Sequence, residues 1–328
     1  MSRATASGRV PGILSPAHVV NSATHVASRT TLLFLGVTLI FGTAFPAVKA
    51  GLAFFPPLLF VAVRNYFAAV LLLAYAGLRM DYRVPRTRRD WAAVLAGGVF
   101  LIGGVGFGFV GQQFITSGVA AVIFSLSPIV TGLFAWALLP DERLVGRDYL
   151  SILLGFVGVS IIVRPDPGAL LDPTVVGKLL VFTAVAVVAL GTVLVRRSRT
   201  AMPVPALTGW AMVLGATIQM GFAVAVGESL TSVRITPLAV ATILYLGVFA
   251  GALGLVWYLV LMGTVGAVKA NLVTYLTPVV SLVLGWAFLD EQIQPLTLLG
   301  FAVIVAGFAL LQRRELYAEL ARYRGLVR

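Results

Sequence analysis

Ten long apolar runs, separated by glycines, prolines and charged residues, constrain this 328-residue chain more than any other feature of its sequence. They lie near 32–50, 56–78, 91–110, 118–139, 149–163, 175–195, 206–226, 237–260, 267–289 and 296–312. About 20 apolar residues in a helix span the hydrocarbon core of a bilayer. Charged residues make up only 11% of the chain, against about 25% in an ordinary soluble domain, which excludes a soluble fold. We therefore predict an all-α polytopic membrane protein with ten transmembrane helices.

The residue types that carry most intramembrane chemistry are absent from these runs. The chain has no cysteine, and His18 and His25 both precede the first run, so no thiolate or imidazole is available there. We expect no cofactor, no metal and no catalytic residue. An intramembrane enzyme acting on lipid is the alternative, but the only acidic cluster, Asp141, Glu142 and Asp148, has no histidine nearby.

Lysine and arginine are distributed unevenly between alternate loops. With a cytoplasmic N-terminus, the cytoplasmic segments hold 18 of the 24 Lys and Arg, and the opposite segments hold three, Arg164, Lys178 and Arg234. Cytoplasmic loops of membrane proteins carry such an excess, so we predict a cell-membrane protein with both termini in the cytoplasm. The same excess accounts for the net charge of +12 without a nucleic-acid partner.

Two segments of the chain, 118–144 and 268–293, resemble each other. The paired positions, 149 or 150 residues apart, are Pro128 with Pro278, Trp136 with Trp286, and Glu142 with Glu291. A unit of five helices crosses the membrane an odd number of times, so its second copy enters from the opposite side. The sequence therefore predicts two inverted five-helix repeats, the architecture of secondary transporters with a binding site near the membrane midplane.

These patterns divide the chain into five parts. They are a disordered cytoplasmic tail at 1–31, a first repeat at 32–163, a linker at 164–174, a second repeat at 175–312 and a basic juxtamembrane tail at 313–328. A cleaved signal peptide is the competing interpretation of the N-terminal tail, but the first apolar run has full spanning length.

The paired prolines interrupt the fourth and ninth runs. Each proline removes a backbone hydrogen bond and frees a carbonyl four residues earlier, which a bilayer tolerates only against protein or a water-filled cavity. We expect both helices to line a central space. A kink that only fits the neighbouring helices is the alternative.

Apart from Lys178, which lies at the start of the sixth run and is counted above with the segment before it, three cations, Lys49, Arg64 and Lys269, lie within apolar runs, and no acidic residue does. A cation at the bilayer centre costs about 2.5–3.5 kcal/mol on insertion scales. Lys49 and Lys269 are near helix ends, so snorkelling to headgroups is an alternative to a functional role. Arg64 is deeper, and is either a carboxylate-binding or gating group or a clamp on the Gly42 carbonyl that Pro46 frees. A retinal receptor using Lys269 would lack a carboxylate counter-ion.

The sequence resembles the EamA-type carriers of the drug/metabolite transporter superfamily over residues 32–312. The resemblance is carried by FGTAFPAVKAGL at 41–52, by Arg64 in the next run, and by the Pro–Trp–Glu–Gly order in both halves. Phe41 stands where a Trp is usual, and the second copy reads Glu-Gln-Ile from Glu291 where Glu-Arg-Leu is expected. The resemblance implies a cavity lined by helices 1, 3, 4, 6, 8 and 9, and export or exchange of small polar metabolites such as amino acids.

Proton-coupled carriers commonly use an intramembrane carboxylate, which is missing here, so a carrier of neutral zwitterions or anions is favoured. We predict a secondary transporter of small molecules working by alternating access, with a structural or receptor protein as the alternative and a homodimer left open. Candidate substrate-binding residues are Thr43, Gln112, Gln113, Ser125, Ser127, Trp257, Tyr258, Lys269, Asn271, Thr274 and Tyr275. Candidate gating or structural residues are Lys49, Arg64, Pro128, Pro278, Glu142 and Glu291. An interhelical hydrogen bond is the alternative role for each polar member of the first set.

Overall fold

The computed structural model describes residues 16–140, 146–163, 171–265 and 267–311, and all regular secondary structure within these ranges is helical. The ten membrane helices of the described residues are α1 (Pro16–Gly51), α2 (Pro57–Arg79), α3 (Arg88–Gln112), α4 (Ser117–Leu138), α5 (Gly146–Val163), α6 (Pro173–Ser198), α7 (Val204–Ala225), α8 (Pro237–Val265), α9 (Ala267–Leu289) and α10 (Pro295–Leu311). Eight of these contain stretches long and apolar enough to cross a membrane, and α5 and α10 contain shorter apolar stretches. The predicted all-helical polytopic membrane fold is confirmed.

The first helix begins earlier than the sequence prediction. We expected a disordered tail through residue 31, but α1 is already helical at Pro16. Proline suits the first turn of a helix, and neither glycine nor proline interrupts 17–31, so the helix of the first apolar run continues backwards through this segment. The tail expected at 313–328 and most of the linker at 164–174 lie outside the described residues.

Short polar residues define several helix starts. Thr87 and Asp90 form a reciprocal capping box at the start of α3, and Thr116 and Thr236 cap α4 and α8 through their hydroxyl oxygens. Asp172 accepts the Thr174 amide hydrogen at 2.8 Å, and this hydrogen bond lowers the pKa of the Asp172 carboxyl. These caps satisfy amide groups that an apolar helix end would leave unpaired.

The two halves pack in a pattern that is preserved when they are exchanged. The contact of α1 with α9 corresponds to that of α6 with α4, and the contact of α1 with α8 corresponds to that of α6 with α3. The pairs α2–α7, α4–α9 and α5–α10 map onto themselves. The helix count and this packing agree with two inverted five-helix repeats.

Glycine contacts between α5 and α10 follow the same symmetry. A Cβ on Gly158 would lie 2.7 Å from the Gly300 carbonyl oxygen, and a Cβ on Gly307 would lie 2.9 Å from the Ser151 carbonyl oxygen. With the repeat offset of 149, position 158 of the first half corresponds to 307 of the second half, and 151 corresponds to 300. The two contacts are therefore equivalent under exchange of the halves. The two helices therefore approach as closely as glycine allows.

Wide helical turns occur at equivalent depths in α3 and α8. Residues Gly97–Ile102 and Tyr245–Leu253 form π-helical segments, and the repeat offset of 149–150 places the first onto 246–252. Such segments often mark functional sites in helices.

The two paired prolines have different effects on their helices. Helix α4 is interrupted at 125–126, before Pro128, whereas α9 continues through Pro278.

One end of the bundle, here called the outer end, collects the α1–α2, α3–α4, α7–α8 and α9–α10 connections. The Arg234 amide donates to the Phe54 carbonyl at 3.0 Å, which joins the α7–α8 and α1–α2 connections. Glu291, in the α9–α10 connection, accepts from Ser117 at the start of α4. The positive-inside distribution predicts that this end faces away from the cytoplasm.

Candidate functional site

A cavity of about 240 Å³ lies inside the bundle, towards the outer end. Its walls are Phe41, Ala44, Phe45 and Val48 of α1, Arg64 of α2, Val105, Gly108, Phe109 and Gln112 of α3, Ala120 and Phe124 of α4, and Ala250 of α8. Four of the six helices implied by the family resemblance line this cavity, whereas none of the side chains described for α6 and α9 does so. Helix α2, which the resemblance did not imply, supplies the only charged side chain among the described lining residues.

Arg64 lies seven residues after the start of α2, about 10 Å along the helix. Its Nε and Nη2 donate to Asn65 Oδ1 at 3.2 and 3.0 Å, and its guanidinium carbon lies 5.4 Å from the centroid of the Phe109 ring. No Asp or Glu of the described residues forms an ion pair with it. The cavity therefore contains a cation whose protein partners are an amide and an aromatic face.

A buried chain of hydrogen bonds positions Arg64. Asn65 Nδ2 donates to Gln219 Oε1 at 2.9 Å, and Gln219 Nε2 donates to the Ile102 carbonyl at 2.8 Å. Both amide side chains are buried. Because Ile102 is the last residue of the π segment in α3, this chain joins α2 to α7 and α7 to the irregular part of α3.

Lys49 of α1 binds the end of α3, near the outer end of the cavity. Its ammonium donates to the carbonyls of Gln112, Gln113 and Ile115 at 3.0, 3.2 and 2.8 Å. These carbonyls lie at and just beyond the C-terminus of α3, where a positive charge is favoured. The Gln112 side chain adds a second link to α1, because its Nε2 donates to the Phe45 carbonyl at 2.8 Å.

Glu291 holds the adjoining start of α4. Its two carboxylate oxygens accept from the Ser117 amide at 2.8 Å and from the Ser117 hydroxyl at 2.7 Å. The carboxylate is also close enough to attract the Lys49 ammonium. Lys49 and Glu291 thus hold the two ends of the α3–α4 connection, near the outer end of the cavity.

The other predicted residues are distributed around the cavity rather than gathered in it. The Thr43 hydroxyl pairs with that of Tyr245, and Ser125 donates to the Val122 carbonyl at 2.6 Å. Trp257 packs against Gly36, and Tyr258 faces Phe41 with their rings 6.0 Å apart. Ser127 and Thr274 are half-buried, and Gln113 is exposed and lines a second cavity behind α3.

Tyr275 packs against Phe308 with a ring separation of 4.1 Å, and its buried hydroxyl has no recorded hydrogen-bond partner among the described residues. The Gly42 carbonyl accepts from the Ser281 hydroxyl at 2.6 Å, so the acceptor considered for Arg64 pairs with α9 instead. Glu142 lies outside the described residues, and for Lys269 and Asn271 only the helical backbone is described.

The aromatic wall and the amides behind Arg64 were missed by the sequence analysis. Helical spacing contained the signal for the first group, because Val105, Gly108 and Phe109 lie seven, four and three residues before the predicted Gln112. Asn65 directly follows Arg64 in the sequence but was not among the candidate residues. Nothing in the sequence pairs it with Gln219, which is 154 residues away.

Comparison with known proteins agrees with this architecture. Residues 28–164 and 175–313 each match the EamA-like transporter family, so one copy falls on each five-helix half. The chain belongs to the EamA-like transporter family. Named relatives of this EamA-like transporter are described as transporters, not enzymes.

Two relatives of this EamA-like protein cover most of its length. The uncharacterized transporter YvbV of Bacillus subtilis (strain 168) is 29% identical over 292 residues, covering 88% of this chain and 93% of the relative. The uncharacterized inner membrane transporter YedA of Escherichia coli (strain K12) is 29% identical over 276 residues, covering 81% and 85%. A solved crystal structure with 22% identity and a TM-score of 0.60 covers 88% of this chain and 98% of its own, and shares the fold.

Proposed function

We propose that this EamA-like transporter carries small metabolites that bear a carboxylate, such as amino acids, and that Arg64 binds the carboxylate. The observation that carries this proposal is a guanidinium in a largely apolar cavity with no acidic partner among the described residues. A buried charge without a counter-ion is costly, so an anionic group of the substrate stabilises it. Arginine suits this role because its planar donors match a carboxylate.

The size and walls of the cavity support a small, partly apolar substrate. Drug-sized ligands occupy pockets of about 300–1,000 Å³, and this cavity is smaller, at about 240 Å³. Phe41, Phe45 and Phe124 offer aromatic surface to the remainder of the molecule. An amino acid with an apolar side chain satisfies both conditions, with its carboxylate at Arg64.

We further propose alternating access, with the contacts of Lys49 and Glu291 closing the outer end. The inverted repeats support this step, since exchanging the conformations of the halves converts an outer closure into an inner one. Glu142, the sequence counterpart of Glu291, would hold the corresponding connection at the cytoplasmic end. In this proposal the protein lies in the cell membrane with both termini in the cytoplasm, and it exports or exchanges its substrate.

Counterflow in reconstituted vesicles tests the substrate class. Vesicles loaded with an unlabelled apolar amino acid should accumulate the labelled amino acid, and the corresponding decarboxylated amine should not compete. Arg64→Gln should raise the half-saturating concentration about 10–100-fold, because hydrogen bonds to charged groups contribute about 1.5–3 kcal/mol. Arg64→Lys should retain part of the affinity, since it keeps the charge but loses the fork of donors.

The matched control is Arg234→Gln, which removes an exposed arginine from the α7–α8 connection. It should leave counterflow unchanged. Equal competition by the amine and the amino acid, or equal transport by the Arg64→Gln and wild-type proteins, contradicts the proposed role of Arg64.

A further inference from the structure

A second and larger cavity, of about 660 Å³, lies on the opposite side of α3 from the substrate cavity. Its α3 wall is a stripe that runs from Val99 through Gly103, Gly106 and Val110 to Gln113, just after the helix, with Phe107 beside it. The substrate cavity contacts a different stripe of the same helix, containing Val105 and Phe109 among others. Helix α3 is therefore a glycine-rich wall between the two spaces.

This second cavity, here called the α3 groove, opens towards the bilayer. Phe222 of α7 and Val226, directly after α7, line it and are 61% and 65% exposed. From Val99 to Gln113 the stripe is 14 residues long, about 21 Å at 1.5 Å per residue. That length exceeds half of the roughly 30 Å hydrocarbon thickness, so a lipid acyl chain from one leaflet fits along it.

Apart from Gln219, whose side-chain amide is already paired with Asn65 and the Ile102 carbonyl, the polar side chains of the α3 groove lie at its outer end. Gln113 is exposed there, and the half-buried Glu228 carboxylate accepts from the amides of Leu58 and Leu59 at 3.2 and 2.8 Å. Both recorded partners of Glu228 are backbone amides, and it forms no ion pair with any cationic side chain in the described part of the chain. The groove thus has an apolar length and an anionic mouth.

We infer that the α3 groove binds one phospholipid with a primary ammonium headgroup, from the leaflet at the Pro57 end of α2. Its acyl chain lies along the stripe from Val99 to Val110, and its ammonium group pairs with Glu228. The backbone amides at the start of α2 balance only part of the negative charge of the Glu228 carboxylate, so a cation at this position is favourable. The bound acyl chain packs against the lipid-facing side of α3, and the opposite side of α3 faces the substrate cavity.

Native mass spectrometry of the full-length protein, extracted from vesicles of phosphatidylethanolamine or of phosphatidylglycerol, tests this site. The wild-type protein should retain one phosphatidylethanolamine and at least tenfold less phosphatidylglycerol. Val110→Trp fills the groove and should reduce retention of phosphatidylethanolamine about tenfold. Val70→Trp adds the same side chain at a lipid-facing position of α2 that is 65% exposed and outside the groove, and should not change retention.

Equal retention by Val110→Trp and Val70→Trp, or equal retention of the two phospholipids, overturns the inference. A mass spectrum in which the wild-type protein loses its detergent and retains no phospholipid also overturns the inference. If Val110→Trp fails to fold, photocrosslinking of the wild-type protein tests the site instead. Phosphatidylethanolamine with a photoactivatable acyl chain should crosslink mainly to peptides within 99–113 and 218–226, and uniform crosslinking over all lipid-facing helices contradicts a defined site.

Discussion

The side-chain amide of Asn65 donates to that of Gln219 at 2.9 Å, and this buried contact joins the two halves of the protein directly behind Arg64. Because Asn65 Oδ1 accepts from Arg64 while Gln219 donates to Ile102, each group depends on the next. Such networks are stable when every member is satisfied and are costly when one is removed. Positioning of the cavity cation and packing of α2 against α7 are therefore linked.

The first prediction concerns this amide pair. Asn65→Leu and Gln219→Leu should each lower the free energy of unfolding by about 1–3 kcal/mol, because each leaves buried polar groups unpaired. The double variant should be less destabilised than the sum of the two single variants. Thermal unfolding of the detergent-solubilised proteins measures these differences.

A control for the amide pair lies on the same two helices. The hydroxyls of Tyr66 and Thr217 are 2.9 Å apart at an exposed position, and Thr217 also donates to the Val213 carbonyl. Tyr66→Phe leaves Thr217 with a partner, so it should destabilise less than either leucine variant. Strict additivity of the Asn65 and Gln219 substitutions is incompatible with a coupled pair.

The second prediction concerns closure of the outer end by Lys49 and Glu291. The chain has no cysteine, so a single Ala44→Cys substitution reports access to the cavity without background labelling. Glu291→Ala should increase labelling of this cysteine by an impermeant thiol reagent from outside about 5–30-fold, as expected for a loss of about 1–2 kcal/mol from the closed state. Lys49→Met should act in the same direction.

An exposed cysteine controls for reagent access in that experiment. Leu171→Cys, at a position that is 91% exposed before α6, should be labelled at the same rate in every background. If Ala44→Cys reacts equally fast with and without Glu291, the carboxylate does not contribute to closure.

The third prediction concerns the crossing of α5 and α10. Gly158→Ala places a methyl group 2.6 Å from Ile304 Cγ1 and 2.7 Å from the Gly300 carbonyl oxygen, so the helices must separate. We expect a loss of about 1–3 kcal/mol, as for overpacking in other interiors. Gly77→Ala is the matched control, because no atom lies within 4 Å of its added Cβ. Equal melting temperatures of the two variants would show that the crossing tolerates a wider separation.

The fourth prediction concerns orientation in the membrane. In intact cells an impermeant maleimide should label Leu171→Cys, whereas Val84→Cys, exposed in the α2–α3 connection, should react only after permeabilisation. The reason is that five arginines lie in the α2–α3 connection and the helix ends beside it, at 79–89, so this connection should stay in the cytoplasm. Labelling of both positions from the same side would rule out an odd number of crossings between them.

Much of the fold was predictable because long apolar runs report directly on membrane helices. The expected run at 267–289 coincides with α9, and that at 237–260 begins at Pro237, as α8 does. Helix starts were predictable where a proline or a short polar residue precedes the run. The backward extension of α1 to Pro16 was not predicted, because no apolar pattern marks that segment.

The candidate site was predicted only in part. Arg64 was singled out as a cation within an apolar run and Gln112 as a candidate substrate-binding residue, and both line the cavity. The contact of Lys49 with the end of α3 was not predictable, since it joins residues more than 60 positions apart. The interruption of α4 but not α9 also depends on packing, because both helices have a proline at the equivalent position.

The sequence by itself determined the number of helices, their limits to within a few residues except at the start of α1, and the presence of two repeats, because burial of apolar side chains in lipid requires only a run of sufficient length. Only the tertiary structure decided which face of each helix borders the cavity. Lipid chains are as apolar as the bundle interior, so a membrane helix lacks the two-sided polarity that identifies the buried face of a helix in water. The orientation of the Arg64 side chain towards the cavity thus depends on contacts such as the hydrogen bond between Asn65 and Gln219, which forms only when distant helices pack together.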